Sequence, residues 1–256
     1  SKALDGKVFV SMLNNWKSIL LNERAKRIRP GLDDKILTSW NGLMLNGLVD
    51  AYRTFNEPEF LDLALKNADF ILRNLKNKEG LYHTYKDGKA SITGFLEDYA
   101  FVIQAFINLY QASFDEKWLF EAEQLTESVL KQFIDTEEEF LFFTSKDAEK
   151  LIARKKEIFD IVIPASNSAM AMNLFQLGTM LEKPFYLELS KRMLSKIAQL
   201  LIIEPSHLSN WGNVLALHIE PIKEIAISGS DFINFRKELD THYMPNAVFA
   251  GTDKIS

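Results

Sequence analysis

Cysteine is absent from the 256 residues. That excludes a disulfide framework, thiol nucleophiles and any cysteine-based metal centre, and it fits a reducing, cytoplasmic compartment. A charge bias is also lacking. Thirty basic against 35 acidic residues give a formal charge of -5, with no basic stripe, so nucleic acid is not an expected partner. The four histidines, His83, His207, His218 and His242, show no ligand spacing, and neither a metal nor another cofactor is expected. No apolar run is long enough to cross a bilayer; the longest, near residues 200–203, is short. Ser1-Lys2 leads into an amphipathic stretch rather than a secretory signal, and no membrane partner is expected. The chain does not begin with Met, and residues 251–256 show no obvious stop. It is therefore expected to be a piece of a longer protein, whose N-terminal region or a second copy would be its protein partner.

What is present is a repeat. Residues 41–61 (NGLMLNGLVDAYRTFNEPEFL), 99–119 (YAFVIQAFINLYQASFDEKWL) and 167–187 (NSAMAMNLFQLGTMLEKPFYL) share one register. Each is a nearly uncharged apolar helix, a short break, and a second helix that opens on a charged residue and an aromatic. A recurring supersecondary unit sets the architecture before any single residue does. No charge falls between Tyr99 and Phe114 or between Ser166 and Leu181. A helix apolar all round is buried on all sides. The second helices carry charges throughout, such as Glu121, Glu127 and Lys131, or Glu188, Lys191 and Lys196, and need a wet face. The reading is concentric, with inner helices over residues 33–55, 94–113 and 166–181 and outer helices over 58–75, 116–133 and 184–203. A preceding helix is predicted over 8–27 and a shorter one over 208–218.

Loop lengths add a polarity. Inner-to-outer joints are only a residue or two long, whereas outer-to-inner connections are long. Residues 77–93 hold an Asp87-Gly88 turn between alternating residues, a hairpin signal. Residues 140–144 and 151–155 alternate in the same way, and a second hairpin is predicted there. Both lie on the face where inner helices begin, and long loops on a rigid scaffold tend to carry function. The last stretch reads as a strand at 224–228, a helix at 231–239 and a strand at 247–250, a small βαβ-like element. The expected division is a toroid fragment over residues 1–220 and an α/β appendage over 221–256.

The mouth at the inner-helix starts gathers the candidates. Helix N-termini present free N–H groups and positive potential, which favour carboxylates and polar ligands. Asp33, Asp34, Glu97 and Asp98 are the candidate acids and bases; Trp40, Asn41, Tyr82, Tyr99, Asp160 and Asn167 are the candidate substrate-binding groups. His83, Tyr85, Ser166 and Trp211 share that end. Paired carboxylates with flat rings suit a saccharide: one acid protonates a leaving oxygen, a second carboxylate activates water or attacks, and rings cover sugar faces. The plainer reading is that Asp33, Asp34, Asp98, Ser166 and Asn167 cap helices, and that Trp40 and Tyr99 fill the core. Ser228-Gly229-Ser230-Asp231 reads as a turn and N-cap ahead of a phosphate nest, which would need more glycines.

Residues 24–44 (RAKRIRPGLDDKILTSWNGLM) closely resemble a family of large proteins of unknown activity, the spermatogenesis-associated protein 20 type and its bacterial relatives. The likeness continues through residues 96–101 (LEDYAF), 115–119, 154–160 and 164–168 to Pro245-Asn246, so it covers most of the chain. It implies a mainly α fold, the six-hairpin, glycosidase-like (α/α) toroid, present here in part. The family also carries a thioredoxin-like domain that this chain lacks. Two departures bear on a pocket: Glu138-Glu139-Phe140-Leu141-Phe142 stands where the family usually has a Gly-Gly-Phe hairpin, and Ile161-Val162-Ile163 where small residues usually follow Asp160. The expected function is therefore saccharide binding or processing, like a glycoside hydrolase or sugar epimerase, by the mouth carboxylates. The alternative is a non-catalytic scaffold that binds a protein partner or regulates the fused thioredoxin-like domain.

Overall fold

A computed structural model describes residues 5–148 and 153–254. The chain forms two compact units, residues 1–34 and 35–256. In the first, α1 (Gly6–Ala25) is capped by the Asp5 carboxylate, which accepts the Lys7 N–H at 3.0 Å. None of its residues is buried, and Val8, Phe9, Trp16 and Leu20 are exposed. Asp33 and Asp34 end this unit outside any helix or strand.

The second unit is built from helix pairs: α2 (Thr38–Phe55) with α3 (Pro58–Phe70, continued by a π-helical turn Ile71–Leu75), α4 (Leu96–Ser113) with α5 (Glu116–Gln132), and α6 (Ser166–Met180) with α7 (Pro184–Ile203); α8 (Ser209–Ile219) follows. Fourteen of the eighteen residues of α4 and twelve of the fifteen of α6 are buried, against six of twenty in α7, which separates inner from outer helices. α2 buries one face only and leaves Trp40 and Met44 exposed. The three joints share one device: Asn56, Phe114 and Glu182 adopt φ of 54°, 55° and 52°, left-handed conformations that reverse the chain in one residue. α2 and α4 approach so closely that a Cβ on Gly42 would lie 2.8 Å from the Phe101 carbonyl carbon.

The hairpin forms as β2 (Tyr82–Lys86) and β3 (Lys89–Thr93), with Asp87 and Gly88 both at positive φ, as a tight two-residue turn requires. A third strand, β1 (Ile36–Leu37), pairs with β2 through Ile36 to Tyr85 and Leu37 to Thr84. This corrects the expected helix start at residue 33. The backbone first extends along the hairpin, the Thr38 hydroxyl bonds the Tyr82 carbonyl, and only then does α2 begin. The second hairpin is not formed among the described residues; Leu151 and Ile152 lie outside them. One backbone bond does cross the expected hairpin, from the Phe143 N–H to the Lys155 carbonyl at 2.7 Å, but the Phe143 carbonyl accepts the Leu96 N–H and the Lys146 N–H reaches Gln132 O, so the described part of this segment is otherwise tied to the ends of α4 and α5.

Residues 223–252 form β4 (Lys223–Ser228), α9 (Phe232–Leu239) and β5 (Ala247–Thr252), the strands parallel and in register from Lys223–Ala247 to Ser228–Thr252. This layer covers the C-terminal ends of the inner helices. Buried Arg236 bonds Asp240 and the Tyr52 hydroxyl, Asp240 also takes Arg53 at 2.8 Å, and the Gln111 side chain accepts the Phe249 N–H at 3.0 Å. Gly251 is required where it stands, since a Cβ would fall 2.2 Å from the Phe114 ring.

Candidate functional site

The inner helices begin at one end of the second unit, and their first turns are tied together. Asp98, fully buried in the first turn of α4, is the knot. Its Oδ1 accepts the Ser39 N–H of α2 at 2.9 Å, and its Oδ2 accepts the Phe95 N–H at 2.8 Å and meets His83 Nδ1 of β2 at 2.9 Å. Asp160 plays the same part for the next pair. Its Oδ1 accepts the Ala165 N–H that leads into α6, and its Oδ2 the Asn210 N–H and Ser209 hydroxyl that open α8. Asn167 holds the intervening loop: its amide pairs with both backbone groups of Leu141 and donates to the Glu157 carbonyl at 2.9 Å.

Two carboxylates in this ring keep their oxygens off the backbone. Among the described residues, half-buried Glu97 takes a bond from the Ser39 hydroxyl at 3.4 Å, and half-buried Glu157 one from the Ser166 hydroxyl at 3.2 Å. Burial pushes the Glu97 carboxyl above its ordinary value, and the negative charges of Asp98 and Glu157 push it further; His83 and Ser39 oppose them. Glu157 is raised by burial, against Ser166 and Lys155. His83 is raised chiefly by its bond to Asp98, against its own desolvation, with the Asp98 and Glu97 charges adding and Lys35 subtracting. Burial pushes Asp98 up, while His83 and the Phe95 and Ser39 amides pull it down. Both partners of the His83–Asp98 bond thus hold protons more tightly, and they titrate as a unit.

A ring nitrogen of His83 and one oxygen each from Glu97 and Asp98 lie within 4.8 Å of one another. These are donors a divalent cation accepts. Asp98 already spends both oxygens on backbone N–H groups and His83 its Nδ1 on Asp98, which leaves this set fewer free lone pairs for an ion.

The predicted site residues fall into four groups. Glu97, Asp98, Asp160 and Asn167 come together at the mouth. Trp40 and Asn41 stand in the first turn of α2: the Trp40 side chain is exposed, and Asn41 bonds Leu37 O and accepts from Asn67. Tyr99 is buried with its hydroxyl accepting the Leu81 N–H, and Tyr82, partly buried, lines with it a cleft of about 510 Å³ beside Asn77, Gly80 and Lys131. Asp33 and Asp34 belong to the first unit. Nothing in the sequence gives Glu157 a place in the site, and the sequence puts His83 at the mouth without a role. The only signal for Glu157 was its place in the 154–160 stretch that carries the family likeness.

This architecture, inner helices starting at a common acidic mouth inside outer helices, is that of the (α/α) toroid proteins. The chain superposes on the GH76 alpha-mannanase BT2949 of Bacteroides thetaiotaomicron with TM-score 0.55 and 17% identity, over 68% of this chain and 46% of that one. A sugar epimerase from a ruminal bacterium gives TM-score 0.54 and 21% identity over 64% and 44%, and an unsaturated glucuronyl hydrolase specific for heparin gives 0.53 and 16% over 66% and 48%. In sequence the chain is a homologue of spermatogenesis-associated protein 20 over most of its length, 27% identical to the Homo sapiens protein over 98% of this chain and 34% of that one. An uncharacterised Caenorhabditis elegans protein, B0495.5, is 34% identical over 69% of this chain and 25% of its own length. No protein-family model matches. The chain thus spans a quarter to a third of these relatives. No helix among the described residues is long and apolar enough to cross a membrane.

Proposed function

We propose that the mouth binds and processes a saccharide, with Glu97 as the proton donor and Glu157 as the opposing carboxylate. The observation that carries this reading is Glu97: a half-buried carboxyl at a helix start, its acidity weakened by burial and by two neighbouring carboxylates, with one weak side-chain bond. A group so placed holds its proton more tightly than an ordinary glutamate and can deliver it to a glycosidic or ring oxygen. Glu157 supplies the second carboxylate that hydrolysis needs, and exposed Trp40 offers a ring for a sugar face. Mannans, glucuronyl-containing oligosaccharides and the reducing disaccharide cellobiose are the substrates to try first, by the neighbours' descriptions.

A second reading is a non-catalytic scaffold. Asp98, Asp160 and Asn167 favour it, because each spends its side chain on backbone groups. A panel of these saccharides, analysed for hydrolysis and for epimerised or isomerised products with the wild type, Glu97→Gln and Glu157→Gln, separates the two. Processing reads as turnover lost at least tenfold in both variants; equal rates in all three proteins favour the scaffold.

A further inference from the structure

Resting on the saccharide reading, we propose that His83 and Glu97 form an acid–base pair that opens the ring of a reducing sugar, with Asp98 as the residue that positions His83. The ligand class is a free hemiacetal rather than an internal glycosidic bond.

The imidazole is held on two sides. Its Nδ1 meets Asp98 Oδ2 at 2.9 Å, and its ring centroid lies 4.7 Å from that of Phe95, which stacks on Phe143 at 5.0 Å. Asp98 cannot swing away, because the backbone N–H of Ser39 in α2 and that of Phe95, just ahead of α4, fix both its oxygens. The bond to an acceptor-only carboxylate puts the proton of the neutral ring on Nδ1 and the lone pair on Nε2. Nε2 makes no hydrogen bond among the described residues, and the side chain is 16% exposed. This is the arrangement of a base held by an orienting carboxylate. Glu97 lies within 4.8 Å of the ring and takes no backbone bond. The anomeric hydroxyl and the ring oxygen of a sugar share one carbon, so one bound hemiacetal reaches both groups.

The step needs no co-reactant. His83 Nε2 takes the proton of the anomeric hydroxyl, and that O–H electron pair becomes the second bond of a carbonyl. The bond from the anomeric carbon to the ring oxygen breaks, its pair stays on the ring oxygen, and the Glu97 carboxyl protonates it. Closure on the other face reverses the transfers, returns both protons and delivers the other anomer. The charged groups that bear on the pair are Asp98 and Lys35 for His83, and Asp98 and Glu157 for Glu97.

The test is the anomeric equilibration of freshly dissolved α-D-mannopyranose and α-D-glucopyranose, followed by polarimetry, with saturation-transfer NMR reporting binding in parallel. The expected result is a saturable acceleration, lost at least tenfold in His83→Gln and in Glu97→Gln. In Asp98→Asn a residual rate should persist with its pH profile displaced toward lower pH, because His83 loses the partner that raises it. Circular dichroism checks that each variant is folded, and Glu97→Gln keeps the test available if His83→Gln is not. A sugar that binds while its anomers equilibrate no faster than in buffer overturns ring opening and leaves the saccharide reading standing. Absence of binding by any reducing sugar overturns both.

Discussion

Removing the Asp98 carboxylate should cost more stability than any other single change at the mouth. Asp98→Ala leaves the Ser39 and Phe95 N–H groups without an acceptor in a site where Asp98 has no exposed surface. A buried orphaned donor costs about 1–3 kcal/mol, and loss of a helix cap about 1 kcal/mol. His83 also loses its partner, and breaking a buried charged pair from one side runs to about 3–5 kcal/mol in total. The terms overlap, so the expected loss is about 3–5 kcal/mol, read by urea unfolding at pH 7 with circular dichroism. Asp98→Asn keeps the shape and one acceptor oxygen but turns an amide NH2 toward a second donor, and about 2 kcal/mol is expected. By NMR, the His83 pKa in Asp98→Asn should fall from its raised position toward the ordinary histidine value. A loss under about 1 kcal/mol in Asp98→Ala would refute the assignment of Asp98 as the tie between α2, β2 and α4.

Glu97→Gln should do the opposite. The folded-state pKa of Glu97 is raised, so its contribution to stability is full below the unfolded value and lost as pH rises through the folded one. At pH 7 ionised Glu97 is a net cost, and Gln should raise stability by about 0.5–2 kcal/mol, a gain absent near pH 4; thermal melts across pH 4–8 check the slope, and destabilisation at pH 7 contradicts it. Asp160→Ala should cost about 2–4 kcal/mol by uncapping two helices at once, with faster hydrogen exchange at the Ala165 and Asn210 amides. Gly42→Ala should cost about 1–3 kcal/mol, because its methyl group meets the α4 backbone; an unchanged denaturation midpoint would mean the two helices are further apart.

The helical frame was legible because burial is written in composition. Twelve of the buried positions of α4 fall between Tyr99 and Ala112, inside a stretch, residues 99–114, that carries no charge. The Asp87-Gly88 hairpin was legible because its turn demands positive φ twice. Residues 33–37 misled: Asp33-Asp34 carries the chemistry of a helix start, but pairing with β2 keeps the backbone extended until Thr38. In the described part of 140–155 the alternation yields one cross-bond, Phe143 N–H to Lys155 O, because backbone groups at the ends of α4 and α5 take the neighbouring Phe143 carbonyl and Lys146 N–H. At the mouth, Glu97 and Asp98 were readable as a doubled acid where one suffices to cap, and the structure divides them into a buried tie and a freer carboxyl. Glu157 was not readable, because its nearness to Glu97 depends on how Asn167 and Ser166 hold a loop sixty residues away in sequence.

The central claim is that the acidic mouth is a sugar site. A crystal structure of the protein soaked with a reducing disaccharide tests it most directly. The account predicts sugar density with oxygens within hydrogen-bond distance of Glu97, Glu157 and His83 Nε2. A mouth closed by its own side chains at saturating sugar, or sugar bound only at another surface, would contradict it.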